Sequence, residues 1–374
     1  MNLKIAVLPG DGIGPEVVLQ AKKALYAISV MFDHEFIFED ALIGAVAIDK
    51  TGTALPEQTL NLCLNTDVVL LGTVGDGDPK YDNNPDAQKR PSQAVLKLRK
   101  ELGLFANKRP IKTYATLMHS SPLKREIIEG TDFIIFRELT GGIYFSDKSL
   151  NDEKNKATDV CEYSEEEITR ITHLAFQAAQ KRRNKVTMVD KANVLETSRL
   201  WRNVVQKVAY DYPDVELNFL FVDTAAMQLV LNPRQFDVIL TENLFGDILS
   251  DEASAITGSI GLLASASFGT KKALFEPIHK SFPQAKGKNI ANPIASIVSA
   301  AMLLEHFGLT EEAKLVHEAI EKAIEYNVVT LDLNPGTSFG TNEVGEFVSN
   351  FILNKDDLMY FNNDNVHIGQ STIV

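Results

Sequence analysis

Short apolar runs alternate along the chain with longer stretches of helical period, which predicts an α/β fold. Residues 3–8 form an apolar run that stops at Pro9-Gly10-Asp11-Gly12. Residues 15–29 then place Val17, Val18, Ala21, Ala24, Leu25 and Ile28 at helical spacing. Buried strands are predicted at 67–72 and 133–136, and further strands at 186–189, 219–222 and 236–240. Val95–Arg99 lies on a helix expected to end near Gly103. Ser164 and Glu167 have the spacing of a capping box, opening a helix with Ile168, Ile171, Ala175 and Ala178 on one face. Lys181-Arg182-Arg183 follows, where positive charge suits the C-terminal dipole, and reads as a solvated helix end. Two amphipathic helices are predicted at 293–307 and 310–326, and the last dozen or so residues read as a polar tail.

A length of 374 residues suggests two domains. With 45% hydrophobic and 23% charged residues, extensive disorder is not expected. The net charge of −13 argues against nucleic acid as a partner. It does not exclude an anionic small molecule, because arginines can invert the field inside a cleft. Two cysteines, Cys63 and Cys161, with no paired spacing, exclude a disulfide framework and a thiolate zinc site. There is no signal-peptide pattern and no apolar run near ~18 residues. A cytoplasmic protein with no membrane contact is expected.

Gly10-Asp11-Gly12-Ile13-Gly14-Pro15 lies between a strand and a helix, as a dinucleotide fingerprint does. That fingerprint needs glycine where Pro15 stands, so it fails. The loop reads equally as a tight turn or a ligand loop. Asp247 and Asp251 are four apart on a helix and share a face, where two like charges repel unless a cation lies between them. Asp223 closes the strand 219–222. Three carboxylates without histidine or thiolate suit Mg²⁺ or Mn²⁺. Spacing alone equally fits two solvated aspartates and a turn. Arg99, Arg109 and Arg137 would hold a dicarboxylate if they converged, although each singly fits a surface ion pair. Lys191, at a strand end, is a candidate general base. Tyr144, on a strand after a glycine pair, is a candidate proton donor or a packing residue.

Five blocks change that balance: Val7-Leu8-Pro9-Gly10-Asp11-Gly12-Ile13-Gly14-Pro15-Glu16, Arg137-Glu138-Leu139-Thr140-Gly141-Gly142-Ile143-Tyr144-Phe145, Val189-Asp190-Lys191-Ala192-Asn193-Val194-Leu195, Asn243-Leu244-Phe245-Gly246-Asp247-Ile248-Leu249-Ser250-Asp251 and Phe275-Glu276-Pro277-Ile278-His279. Together, and in this order, they resemble the isocitrate/isopropylmalate dehydrogenase family of β-hydroxyacid oxidative decarboxylases. The Glu-Leu-Thr-Gly-Gly version of the second block points to the isopropylmalate branch. The likeness runs from residue 3 to about residue 352.

The resemblance implies two α/β domains around a shared mixed sheet, not a Rossmann unit. The first domain would be 1–104 with 258–374 and the second, dimerising domain 105–257, with the active-site cleft between them. It implies NAD as cofactor, Mg²⁺ or Mn²⁺, and a homodimer whose sites are completed across the interface. The reaction would be oxidative decarboxylation of 3-isopropylmalate to 2-oxoisocaproate in leucine biosynthesis. Arg99, Arg109 and Arg137 match the residues that hold the malate carboxylates, and Val95 the residue facing the side chain. Asp247 and Asp251 match the metal ligands of one subunit. Asp223 matches the ligand, and Lys191 the base, contributed by the other; Tyr144 matches the acid. Ile13, Gly72, Ser92, Gly258, Gly261, Glu276, His279, Gln284 and Asn292 match cofactor positions.

Some positions depart from the family pattern. Ser92 replaces a glutamate, Val95 a leucine, Lys280 a glycine, and Gln284 an aspartate that would accept from the ribose diol and repel a 2′-phosphate. Lys280, Lys286 and Lys288 stand near Gln284. These changes leave open the exact C3 substituent, another 3-substituted malate or tartrate, and NAD against NADP. A catalytically silent binding paralogue is the reading from a different class. The retained Tyr144, Lys191, Asp223, Asp247 and Asp251 argue against it.

Overall fold

The structure, a computed structural model, describes residues 1–75, 77 and 79–354. The polar tail expected at the C-terminus lies outside the described residues. The strands in chain order are β1 (Asn2–Gly10), β2 (Glu35–Asp40), β3 (Val68–Thr73), β4 (Ala106–Lys112), β5 (Asp132–Glu138), β6 (Lys148–Leu150), β7 (Ala157–Asp159), β8 (Lys185–Asp190), β9 (Glu216–Phe221), β10 (Val238–Thr241), β11 (Ala264–Phe268) and β12 (Ala273–Pro277). The chain separates into two compact units. Unit 1 comprises Met1–Leu98, Ile260–Ala266 and the chain from Ala273 onward; unit 2 comprises Arg99–Ser259 and Ser267–Lys272. The fold class is α/β, as the alternating pattern predicts.

In unit 1, β2, β1, β3 and β12 lie side by side and parallel. All six residues of β3 are buried, which is why Val68–Leu71 reads as an unbroken apolar run. The helix Gly14–Met31 and the helix Ile294–His306 pack on these strands. One expectation is corrected in the second of these. The stretch near 293–307 reads as amphipathic, yet every residue from Ile294 to Leu304 is buried, so the helix is enclosed on all sides. Thr310–Glu325 is the amphipathic one. Among the described residues no helix is long and apolar enough to cross a membrane.

In unit 2 the strand order is β4-β5-β10-β8-β9. β4 runs antiparallel to β5, and the other neighbours are parallel, so this sheet is mixed. Its core packs Phe136, Val186, Met188 and Leu240 against Ile171, Phe176, Trp201 and Val205 of two helices, Glu165–Gln180 and Glu196–Ala209. The capping box is present: Ser164 accepts from the Glu167 amide while Glu167 reaches back. The basic triplet is not a free solvated end. Arg182 donates to Asp237 and Asp132, and Arg183 to the Phe236 carbonyl, because the Asp237 carboxyl is buried at the start of β10 and needs cations.

Parallel strands deliver their carboxyl ends to one edge. Thr241 is register partner of both Arg137 and Val189, and Asp190 of Phe221. The segments that leave this edge of unit 2 carry Tyr144, Lys191, Asp223 and Asp247. In unit 1, Gly10 pairs with Thr73 in the same way.

Candidate active site

The unit 2 cluster is built around Asp247, on the helix Asn243–Ser254 that follows β10. Arg137, buried next to the last residue of β5, pairs through Nη1 with Asp247 Oδ1. Arg109, on β4, stands 3.6 Å from the same carboxylate and 3.5 Å from Asp251. Arg109 is fixed by Asn107 at 2.9 Å and by the Ser250 hydroxyl. The Tyr144 hydroxyl donates to Asp247 Oδ2 at 3.0 Å. Asp247 and Asp251 thus share one helix face, as their spacing predicts, and cations and a phenol converge on it. Arg99, at the end of the helix Pro91–Glu101, is close enough for its charge to act on Arg137. Burial, together with the charges of Arg109 and Arg99, pushes Arg137 down to about 10 against the pull of Asp247. Burial and Asp247 hold the Tyr144 phenol above its ordinary range.

Tyr144 is not on a strand. It ends a single 3-10 turn, Gly142–Tyr144. The buried Glu138 carboxylate accepts from the amides of Thr140 at 2.8 Å and Gly141 at 2.7 Å, and from the Thr140 hydroxyl. Those bonds end the strand and force the turn. Asp223 likewise does not close a strand. β9 ends at Phe221, and Asp223 lies in the first turn of the helix Val222–Leu231. Its carboxylate pairs with Lys191, which holds it below the usual carboxylate range. The Lys191 loop is anchored by a donation from the Lys191 amide to Ser198 and by Asp190, whose buried carboxylate takes Arg202 and the Ala192 amide.

Among the described residues no three His, Cys, Asp or Glu side chains form a metal-holding group. Asp247 and Asp251 are one pair of donors and Asp223 stands apart with Lys191. The donor atoms are all hard carboxylate oxygens, which suits Mg²⁺ or Mn²⁺ and not a softer ion.

The expected cofactor residues lie mostly in unit 1. Ile13 is buried beside Val17, Ala285 and Ala291, and its amide donates to the Ser281 carbonyl at 2.8 Å. The glycine loop before it packs on its own chain. A Cβ at Gly12, where φ is +57°, would stand 2.0 Å from the Ser281 carbonyl oxygen. The Asp11 carboxylate caps the helix Ala45–Thr51 through the amides of Ala45 and Val46 and also accepts from Gly75. Gly72 packs under Pro9, where a Cβ would come within 2.3 Å of the carbonyl. Asn292 accepts from the Ile294 amide and donates to Asp332, and Gly261 packs on it. These residues shape the backbone first, whatever else they do. Gly258, in unit 2, ends the turn Ala255–Thr257 against Ser120.

His279 differs. Its Nδ1 donates to the Lys280 carbonyl at 3.2 Å, which leaves Nε2 as an acceptor. That Nε2 is buried and has no partner among the described residues. Burial lowers the ring's pKa, so it is neutral at pH 7. A ligand N–H donor such as an adenine amine would satisfy it. Glu276 is half-buried, one residue before the end of β12, and Gln284 is exposed in the turn Pro283–Ala285. Phe282 before that turn is half-exposed in left-handed backbone, with φ 39°. Ser92 is exposed and Val95 half-buried on the helix Pro91–Glu101, one turn apart.

Sequence reasoning missed Glu138, which builds the Tyr144 turn, and Asn243, which binds Arg137 through its side-chain oxygen. Both lie inside the blocks that carry the resemblance. A polar residue two or three positions beyond an apolar strand run was the available signal.

A family profile described as isocitrate/isopropylmalate dehydrogenase matches residues 4–348. A 3-isopropylmalate dehydrogenase of Bacteroides fragilis is 50% identical over 354 residues, covering 94% of this chain and 99% of that protein. One of Priestia megaterium is 52% identical over 360 residues, covering 95% and 97%. Among solved structures, the isocitrate dehydrogenase of Methylococcus capsulatus is 34% identical with a TM-score of 0.83, covering 94% of this chain and 100% of that one. A β-decarboxylating dehydrogenase of Thermococcus kodakarensis, also 34% identical, gives 0.79 and covers 98% and 100%.

Proposed function

Since the chain belongs to the isocitrate/isopropylmalate dehydrogenase family, we propose that it is the NAD-dependent enzyme that oxidatively decarboxylates (2R,3S)-3-isopropylmalate to 2-oxoisocaproate in leucine biosynthesis. The observation that carries this reading is the convergence of Arg109, Arg137 and Tyr144 on Asp247. A proton donor, two guanidinium forks and a carboxylate on one spot suit a 2-hydroxy dicarboxylate that must lose a carboxyl group.

Arg99, Arg109 and Arg137 take the substrate carboxylates. Asp247 and Asp251 would hold the divalent cation together with Asp223 of a second copy of the chain, which would also lend Lys191. When bound, the cation would supply Lewis-acid stabilisation at the C2 oxygen, and the nicotinamide would supply the hydride acceptor. Lys191 accepts the C2 hydroxyl proton. After CO₂ leaves, Tyr144 protonates C3. One proton is removed and one returned, so the protein's part is proton-neutral. His279 and Ile13 serve the adenine end of NAD, and Val95 faces the isopropyl group.

The test is growth of the reduced-nicotinamide absorbance with 3-isopropylmalate and Mg²⁺, run with NAD and with NADP. Turnover with NAD is expected. Turnover with NADP alone overturns the cofactor assignment, for which the exposed Gln284 is the reason to check. No turnover with either overturns the substrate.

A further inference from the structure

Resting on that reading of the unit 2 cluster, we infer that Asn243 is a positioning residue: its one amide locks Arg137 and the turn bearing Tyr144 into a common geometry. Asn243 is 1% exposed and opens the helix that carries Asp247. Its Oδ1 accepts from Arg137 Nε at 3.0 Å and from Nη2 at 2.8 Å. Its Nδ2 donates to the Gly141 carbonyl at 3.2 Å. The amide has only one orientation here, because a guanidinium can only donate and a carbonyl can only accept.

The contacts close a ring. Asn243 holds Arg137, Arg137 pairs with Asp247, Asp247 accepts from Tyr144, and Tyr144 belongs to the turn that starts at Gly141–Gly142. Tyr163 seals it from behind. Its hydroxyl accepts from the Asn243 backbone N–H at 3.0 Å, and its ring lies where a Cβ on Gly141 or Gly142 would stand. Gly142 has φ +76°, so the turn needs glycine there both for backbone and for space.

The choice of a neutral amide has a physical reason. Arg137 is buried beside the charges of Arg109 and Arg99. Two of its nitrogens need acceptors, yet its charge must stay available to an anionic substrate. Asp247 already offsets part of that charge, and a second carboxylate, at 243, would satisfy the guanidinium but discharge it further. Asparagine orients it without neutralising it, and the same side chain supplies the donor that pins the Tyr144 turn.

Two substitutions separate these effects. Asn243→Asp keeps an acceptor for Arg137, adds a charge and loses the donor to Gly141; Asn243→Ala loses both. The wild type's turnover of 3-isopropylmalate with NAD and Mg²⁺ tests the proposed function by itself. Given turnover, both variants should raise substrate KM by about tenfold or more, the scale of hydrogen bonds to a charged group. Both should also spread deuterium over the two C3 faces of the product formed in heavy water and trapped at once by reduction, where the wild type labels one face. A residue that only stabilises the fold would not alter the face of protonation. Independently of turnover, amide hydrogen exchange at 140–145 should quicken in both variants. Should Asn243→Ala not fold, Asn243→Asp and Tyr163→Phe carry the same measurements. Wild-type KM and one-face labelling, or unchanged exchange at 140–145, would overturn the assignment.

Discussion

Lys191 and Asp223 form an ion pair because the strands that precede them end side by side. Asp190 and Phe221 are register partners at the carboxyl ends of β8 and β9. One strand is followed directly by the lysine, the other by a helix whose first turn holds the aspartate. A sequence separation of 32 residues is thereby reduced to a single contact.

In the proposed mechanism Lys191 accepts the hydroxyl proton, so Lys191→Met should lower kcat by about 10²–10⁴-fold, the range for a general base. The side chain is partly exposed, so the melting temperature should change little. Steady-state kinetics beside a circular-dichroism melt decides it. Near-normal turnover would remove Lys191 from the mechanism.

Asp247→Asn should raise the half-saturating Mg²⁺ concentration by about tenfold or more, since a hard cation loses a charged ligand. Cofactor binding, followed by protein fluorescence, should stay the same. The variant also leaves Arg137 without its carboxylate partner. Identical Mg²⁺ titrations in the two proteins would mean that the cation sits elsewhere.

Glu242 gives a pH dependence of stability. Burial, aided by the nearby Glu138 charge, raises its carboxyl to about 7, and among the described residues its Oε2 is buried without a partner. The folded state therefore binds a proton between about 4.5 and 7 that the unfolded chain has released. This contribution to stability is full at low pH and fades as pH rises through 7. Glu242→Gln should melt above the wild type at pH 8.5, and the gap should narrow towards pH 5. A gap that widens on acidification contradicts the assignment.

Gln284→Asp should raise the preference for NAD over NADP by about tenfold, because a carboxylate beside the ribose repels a 2′-phosphate. The ratio of kcat/KM for the two cofactors measures this. An unchanged ratio would place the ribose away from the turn Pro283–Ala285.

Much of the fold was legible where local rules decide. The capping box at Ser164, the all-buried β3 and the shared face of Asp247 and Asp251 follow from spacing alone. Long-range pairing decided the rest. Tyr144 left its expected strand because Glu138 captures two backbone amides. The helix Ile294–His306 lost its solvent face because neighbouring elements cover it. Asn243 meets Arg137 across 106 residues, a distance no window reads. The candidate chemistry was visible as motifs, but which atoms meet was not.

The glycine loop at 10–14 has a practical side. Gly10 lies against Thr73, Gly12 against Ser281 and Gly14 against Pro9, with each missing side chain's place taken by backbone. The loop acts as a keystone between strands of unit 1, cut to fit its own chain. Grafting a Rossmann glycine motif here to retarget the enzyme would therefore unseat neighbouring strands before it reached any nucleotide. Engineers of cofactor choice have more freedom at Gln284, the exposed residue of the turn Pro283–Ala285, where a new side chain displaces only water.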